Sequence, residues 1–443
     1  MTEERYVAAI EISSSKIVAV VGKLRPGGQL DILATEQEKG VESVRYGVIK
    51  NLEETSLRID RILKKLEQKP AVSPRKITGL YVGLSGQSLR SIPTKVGINL
   101  PDDTEITDDI LNRLHQQARS TAIDSSLEVV DAVPRSFMVG RIETVSPKGA
   151  VGNSISAEYD LVVCRPEIKR NLIRTVQDKL HINIKGIVVT ALSAGQLILS
   201  AEEKRLGCML VDMGGETTTV TIYKNGHLVY FATLPLGGRN ITRDLTSLNL
   251  LEERAEEIKI TNGNAIPRDT VSTLNYNGVR DVDVSNLIVA RAEEIVINIL
   301  KQIKYAELKD NDLPGGIVVI GGGSKLNGIN DLLANKSGLN VRRGTLPQYV
   351  RLEDTKISSN DIIEVASVLY AGASANGEEC LEYPERDRLP GGGDPNPEPE
   401  TDTELTPEPK TKGPSWWDKA RAKVGQGISN MFGGTEDDSD PLD

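Results

Sequence analysis

The chain has 443 residues, 38% hydrophobic and 26% charged, a size and balance that suit a soluble globular protein of two or more domains. A formal net charge of -10 argues against broad nucleic-acid binding, and three scattered cysteines with three isolated histidines argue against a zinc site or histidine-based catalysis. Neither a signal peptide nor an apolar run of transmembrane length is seen, so a reducing cytoplasm is expected and any membrane contact should be peripheral.

Tyr6 to Ile12 reads as a strand ending in Glu11, Ser13-Ser14-Ser15-Lys16 as a polar turn and Ile17 to Val21 as a second strand, with a third after Pro26-Gly27-Gly28. Leu52 to Leu66 has apolar residues at helical spacing, and Ile77 to Leu84 is a further strand. From Gln87 to about Cys164 the pattern changes. Short strands at Lys95 to Leu100 and Leu127 to Met138, a helix from Thr107 to Ala122 capped by Thr107, Asp108 and Asp109, and a run at Tyr159 to Val163 describe an inserted α+β subdomain. A helix (Pro166 to Leu180) and a strand (Gly186 to Thr190) follow. Ala191 to Glu203 is then a helix whose small residues would allow close crossing at an interlobe hinge.

Leu210 to Tyr223 repeats the opening pattern: strand, acid, turn, strand, and a third strand after Asn225-Gly226. Asp212 ends the first strand. Gly214 and Gly215 should turn the backbone with positive φ, and Thr217 and Thr218 would add hydroxyl donors. Two such hairpins facing each other make a cleft for a nucleotide polyphosphate, with Mg²⁺ near the acids, Asp212 above all, through water. The run Pro235 to Asp244 carries Gly237 and Gly238 into a helix start whose free amides could face phosphate. On the helix Glu252 to Ile260, Glu256 and Lys259 share a face, as a ribose or base contact or as a solvated ion pair. Val284 to Leu308 is a long amphipathic helix. The strand Ile317 to Ile320 then runs through Gly321, Gly322, Gly323 and Ser324 into a capped helix, open to a base or phosphate and distinct from a Walker A loop or a dinucleotide fingerprint.

Residues 378–414, rich in Pro, Gly and acids, read as a disordered linker. Residues 415–433 then read as an amphipathic helix opened by a Ser415/Asp418 capping box. Trp417, Ala420, Val424, Ile428, Met431 and Phe432 share its apolar face with Trp416 at the edge, and Lys419 and Lys423 lie opposite or at the border. An interfacial membrane helix is expected, followed by an acidic tail, 434–443. Several such helices on one assembly would bind by avidity, which argues for oligomers.

Together these features resemble the actin, Hsp70 and sugar-kinase superfamily and, within it, the FtsA family of bacterial cell-division proteins. The motifs are Leu210 to Gly215, Pro235 to Asp244, Ala255 to Lys259 and Ile320 to Ser324. The resemblance implies an α/β, two-lobed, duplicated actin-like fold with an inserted subdomain and a C-terminal amphipathic helix. The first lobe would comprise residues 1–86 and 166–205 around the insertion 87–165; the second-lobe core would be 206–245 and 313–377, with an outer subdomain at 246–312. It also implies an ATP-binding, self-polymerising protein on the cytoplasmic face of the inner membrane at the division septum. Its partners would be the C-terminal tail of FtsZ, other division proteins and membrane lipids. Ser13, Ser14 and Lys16 would form the first phosphate turn; Asp212, Gly214, Gly215, Thr217 and Thr218 the second; Glu256 and Lys259 the ribose side; Gly321 to Ser324 the adenosine side. This sequence departs from the family in having Ser13 and Glu216 where Gly is usual, and Thr219 where Asp is frequent. A Glu216 carboxylate facing a γ-phosphate would repel it, so either Glu216 points away or ATP binds weakly and is hydrolysed little. From these substitutions slow or absent turnover is expected. An actin-like platform for pilus assembly and a small-molecule kinase of the same fold are the alternatives.

Overall fold

A computed structural model describes residues 5–25, 28–267, 275–276, 278–354, 357–374 and 379–384. The opening run folds as the antiparallel strands β1 (Arg5–Ile12), β2 (Lys16–Leu24) and β3 (Leu30–Lys39), with Glu11 one residue from the end of β1. The short pair β4 (Val44–Arg45) and β5 (Val48–Ile49) leads to α1 (Leu52–Glu67). That helix starts where Asn51 accepts the Glu54 amide, carries Glu53 and Glu54 in its first turn and Lys64 and Lys65 in its last, and so opposes its macrodipole at both ends. Its buried face holds Ile59, Ile62, Leu63 and Leu66, each contributing about 1.5–3 kcal/mol relative to exposure. After β6 (Lys76–Ile77), β7 (Gly79–Leu84) pairs in parallel with β1.

The insertion contains β8 (Arg90–Glu105), α2 (Asp108–Arg119), β9 (Glu128–Val139), β10 (Ile142–Thr144) and β11 (Val151–Cys164) around a core of its own. Its strands are longer than the sequence suggested, because only alternate residues reach that core and the exposed faces blur the apolar pattern. Thr107 holds the N-cap position of α2, but its side chain makes no capping bond.

The chain re-enters the first lobe through α3 (Pro166–Ile173), a π-helical turn at Arg174–Lys179 and β12 (Asn183–Val189). The single helix expected from Ala191 to Glu203 is two helices, α4 (Thr190–Ile198) and α5 (Ala201–Leu206). Ser200 starts the second with a reciprocal capping box to Glu203, which outcompetes continuation of α4. The small residues of α4 do permit close approach. Gly195 lies against the Tyr223 ring of the second lobe, and Ser193 Oγ is 2.9 Å from Ser367 Oγ.

The second lobe repeats the meander with β13 (Cys208–Met213), β14 (Thr218–Lys224) and β15 (His227–Leu234), followed by α6 (Gly238–Thr246) and α7 (Glu252–Asn262). Next come the short pair β16 (Asn275–Tyr276) and β17 (Val279–Arg280), then α8 (Asp281–Tyr305), β18 (Ile317–Ile320), α9 (Ile329–Ser337) and β19 (Val341–Arg343). β18 flanks β13 in parallel as β7 flanks β1, so the duplication expected from sequence is present in strand order. Along β13 the period of two divides the residues between cores: Cys208 and Leu210 face the first lobe, Met209, Val211 and Met213 the helices α6 to α9. One nine-stranded sheet, β10-β9-β11-β8-β15-β14-β13-β18-β19, joins the insertion to this lobe.

The expected division at 313–377 is corrected by the last elements. β20 (Val350–Leu352) pairs in parallel with β3, and Val350 with much of α10 (Ile363–Ser374) is buried in the first-lobe core. The first-lobe sheet is therefore β12-β7-β1-β2-β3-β20. The linker expectation starting at 378 is likewise too early, since β21 (Leu381–Glu382) pairs with β6 and Cys380 and Leu381 are buried. The rest of the linker, the tail helix with Trp416, Trp417, Lys419, Lys423, Val424, Ile428, Met431 and Phe432, and the acidic tail lie outside the described residues.

Candidate functional site

Equivalent strand ends set the two turns face to face. In β1 Glu11 precedes the last residue, in β13 Asp212 does, and the turns Ser13 to Ser15 and Gly214 to Thr217 follow. A side chain placed on Gly215 would stand 3.2 Å from Ser15 Cβ, so the turns nearly touch. The expected positive φ at Gly214 and Gly215 is not observed. Space, rather than conformation, requires glycine: a Cβ on Gly214 would sit 2.9 Å from the Thr217 carbonyl that accepts the Gly214 amide at 2.8 Å.

Most hydroxyls expected to meet phosphate are engaged within the protein. Ser13 Oγ donates to the Lys16 carbonyl at 2.8 Å, Ser14 Oγ accepts the Gly47 amide at 3.0 Å, and Thr218 Oγ1 donates to the Leu236 carbonyl at 2.8 Å. Ser15 and Thr217 are half-buried, and their hydroxyls make no hydrogen bond among the described residues. Ser15 was passed over in the sequence because its neighbours share its chemistry. Lys16 Nζ donates to the Asp361 carbonyl, just before α10.

Helix α6 differs from expectation as well. The Gly237 amide donates to Asn240 Oδ1 at 2.9 Å, that of Gly238 to the Gly214 carbonyl at 3.0 Å, and that of Arg239 to the Gly215 carbonyl at 2.7 Å. These amides hold the second turn from behind instead of facing a ligand. Gly237 is glycine because any Cβ would press on the Gly215 and Gly214 carbonyls at 2.6 and 2.7 Å. Lys259 Nζ closes the same corner, donating to the Gly238 carbonyl at 3.1 Å and to Thr242 Oγ1 at 3.0 Å and pairing with Glu256 at 2.7 Å. Burial lowers its pKa against the opposing pull of Glu256. The pair is thus half-buried rather than solvated.

After β18 the glycines form a 3-10 turn, Gly322–Lys325, and α9 begins only at Ile329. The expected direct run into a capped helix is therefore not formed. Ser324 is buried and donates to the Gly321 carbonyl at 2.7 Å, which fixes the turn. Gly321 has φ 86 and lies against Asp212 Oδ1, a position that excludes a side chain on both counts. A Cβ on Gly323 would sit 2.9 Å from the Met213 carbonyl, whereas one on Gly322 would meet nothing within 4 Å. Gly322 is the open face of this element.

Three acids converge where the turns meet. Glu11 is buried, accepts hydrogen bonds from Thr190 Oγ1 at 2.7 Å and Ser85 Oγ at 3.0 Å, and is pushed up to about 7 chiefly by burial. Asp212 is raised well above the carboxylate range by burial and then by the charges of Glu364 and Glu11, with Lys16 opposing. Glu364, at the start of α10, was missed because nothing in the sequence links it to strands more than a hundred residues away. Among the described residues no three such side chains lie close enough to hold a metal ion directly. Burial and mutual repulsion raise Glu11 and Asp212, a cost that a hydrated Mg²⁺ beside Asp212, contacting these acids through water, would relieve.

Glu216 is fully buried and points away from the cleft. Its carboxylate pairs with Arg45 at 3.1 Å, Arg239 at 3.6 Å and Arg243, and accepts the Tyr46 amide at 2.7 Å. Burial pushes its pKa up, but the amide and the arginines outweigh that and hold it below the usual value. The repulsion expected at a γ-phosphate is thereby removed. Thr219 is also turned into the sheet, 3.1 Å from Thr233 Oγ1.

The family model described as cell division protein FtsA matches residues 209–361, and one described as an SHS2 domain inserted in FtsA matches residues 86–163, the inserted subdomain. The cell division protein FtsA of Porphyromonas gingivalis is 31% identical over 393 residues, covering 85% of this chain and 79% of its own. That of Bacillus subtilis is 28% identical over 366 residues, covering 80% and 81%. Among solved structures, the PilM-PilN type IV pilus biogenesis complex aligns with a TM-score of 0.60 at 15% identity, over 83% of this chain and 98% of its own. That likeness is one of fold, the actin-like two-lobed architecture.

Proposed function

Because the chain belongs to the FtsA family of cell-division proteins, we propose that it binds ATP with Mg²⁺ between its two lobes and polymerises at the membrane as a division scaffold. The observation that carries this reading is the meeting of Ser15, Lys16, Asp212, Gly214, Gly215 and Gly322 around one cleft. The Glu256–Lys259 pair roofs the corner beside Gly238. Phosphates would lie against the two turns, Mg²⁺ would sit near Asp212 through water, and the adenosine would lie against Gly322. Turnover would be slow, since Thr219 offers no base and Glu216 is occupied elsewhere. The outer subdomain would dock the FtsZ tail; the exposed Leu251, just before its helix α7, and Ile260 within that helix give it an apolar surface. The tail helix 415–433 would lie on the cytoplasmic face of the inner membrane at the septum. A pilus-assembly platform is the weaker reading, since its support is a fold likeness at 15% identity.

Calorimetric titration of the full chain with ATP and Mg²⁺ tests the cleft: saturable binding lost in Asp212→Ala is expected, and equal binding by both proteins refutes the assignment. Emission from the two tryptophans, both in the tail, tests the membrane. A blue shift with anionic vesicles that grows with ATP is expected; no shift in either condition refutes lipid insertion.

A further inference from the structure

The partners of Glu216 come from both lobes. Arg45 ends β4 and Tyr46 follows it in the loop to β5, and Val44, Val48 and Ile49 of that strand pair are buried in the first-lobe core. Arg239 and Arg243 belong to α6, whose Ile241 and Leu245 are buried in the second-lobe core. The loop is bent for the contact: Tyr46 has φ 50 and Gly47 has φ 76, which aim successive amides at Glu216 and, at 3.0 Å, at Ser14 Oγ in the other phosphate turn. A non-glycine residue in that region is strained and persists where its surroundings over-determine it. Cross-links continue around the carboxylate, with Arg243 donating to the Tyr46 hydroxyl at 3.2 Å and Arg239 to the Ser14 carbonyl at 3.4 Å.

We propose that Glu216 is a positioning residue that fastens the lobes behind the phosphate turns and sets the separation of those turns before any nucleotide arrives. In a two-lobed cleft the closed population governs apparent affinity, and the ligand ordinarily supplies the bridge. Here a carboxylate of the chain, held by cations from each side, already supplies one. The cleft is therefore preset, and nucleotide binding should move it little.

Hydrogen exchange of the full chain without nucleotide tests this at residues 43–50 and 236–246. In Arg45→Ala, a change at a partly exposed first-lobe residue that leaves the core intact, exchange should rise about tenfold in 236–246, on the other lobe. Glu216→Ala should raise it in both segments, and Glu216→Gln, which keeps an acceptor but not the charge, should fall between. Apparent affinity for MgATP should drop roughly tenfold in Glu216→Ala, because closure must then be driven by the ligand. Exchange that rises only in the segment carrying the substitution overturns the proposal. So does a wild type whose two segments exchange fast until MgATP is added. A wild type that binds no MgATP defeats the nucleotide reading, while the ligand-free exchange comparison still decides this one.

Discussion

The two facing turns share a topology and differ in how they are held. The first, Ser13 to Lys16, is held largely by its own side chains, Ser13 bonding within the turn and Ser14 receiving the amide of a neighbouring loop. The second is held by glycine: α6 and the 3-10 turn press backbone against backbone at Gly214, Gly215, Gly237, Gly321 and Gly323, and few side chains intervene. A polar turn can thus resemble a ligand site while spending its hydroxyls on itself. A glycine turn leaves its room to whatever approaches.

This contrast can be broken most forcefully at Gly321. Gly321→Ala adds a Cβ against Asp212 at a positive φ, so we expect a loss of about 3 kcal/mol, read as a large drop in thermal midpoint together with loss of nucleotide binding. A normally stable Gly321→Ala would mean the packed-glycine account of the second turn is mistaken.

A test of intermediate size lies at Glu11, below the first turn. Its folded pKa of about 7 lies above the ordinary glutamate value of 4.5, so the folded state binds more protons between those values. Stability in the absence of Mg²⁺ should therefore fall as pH rises through that window, by up to about 3 kcal/mol, and stay reduced above it. Glu11→Gln should remove the slope, matching the wild type near pH 5 and exceeding it at pH 8. Denaturant midpoints that run parallel across that range would exclude the buried-carboxylate account.

The smallest expected effect sharpens the comparison within the first turn. Ser14→Ala should cost about 1 kcal/mol through the orphaned Gly47 amide. Ser15→Ala should stay within about 0.5 kcal/mol of wild type yet weaken MgATP more. The reverse pattern would assign the phosphate contact to Ser14.

Much of this arrangement was legible in the sequence because it is local. The strand, acid and turn order, the helix Leu52–Glu67 and the strand Ile317–Ile320 follow from periodicity and punctuation. What escaped depends on residues far apart in the chain. Glu216 looked like a charge facing phosphate until Arg45, 171 residues away, was seen to take it. Glu364 joined the acids only through the return of α10 to the first lobe. The amides of α6 looked free because no sequence signal reports a carbonyl, here of Gly214 and Gly215, placed against them.

That return also decides where mechanical tension would travel. The last described segment is stitched to the first lobe: the Cys380 amide donates to the Tyr6 carbonyl at 3.0 Å, and the Thr78 and Gly79 amides donate to the Cys380 carbonyl at 3.0 and 3.1 Å. Arg75 is sandwiched between the rings of Tyr6 and Tyr383, 4.1 and 4.7 Å from their centroids. A pull on the chain beyond residue 384 would enter at β6 and the start of β1 and spread through one sheet. The cleft would then feel such a tug as movement of the whole first lobe, carrying the first turn with it.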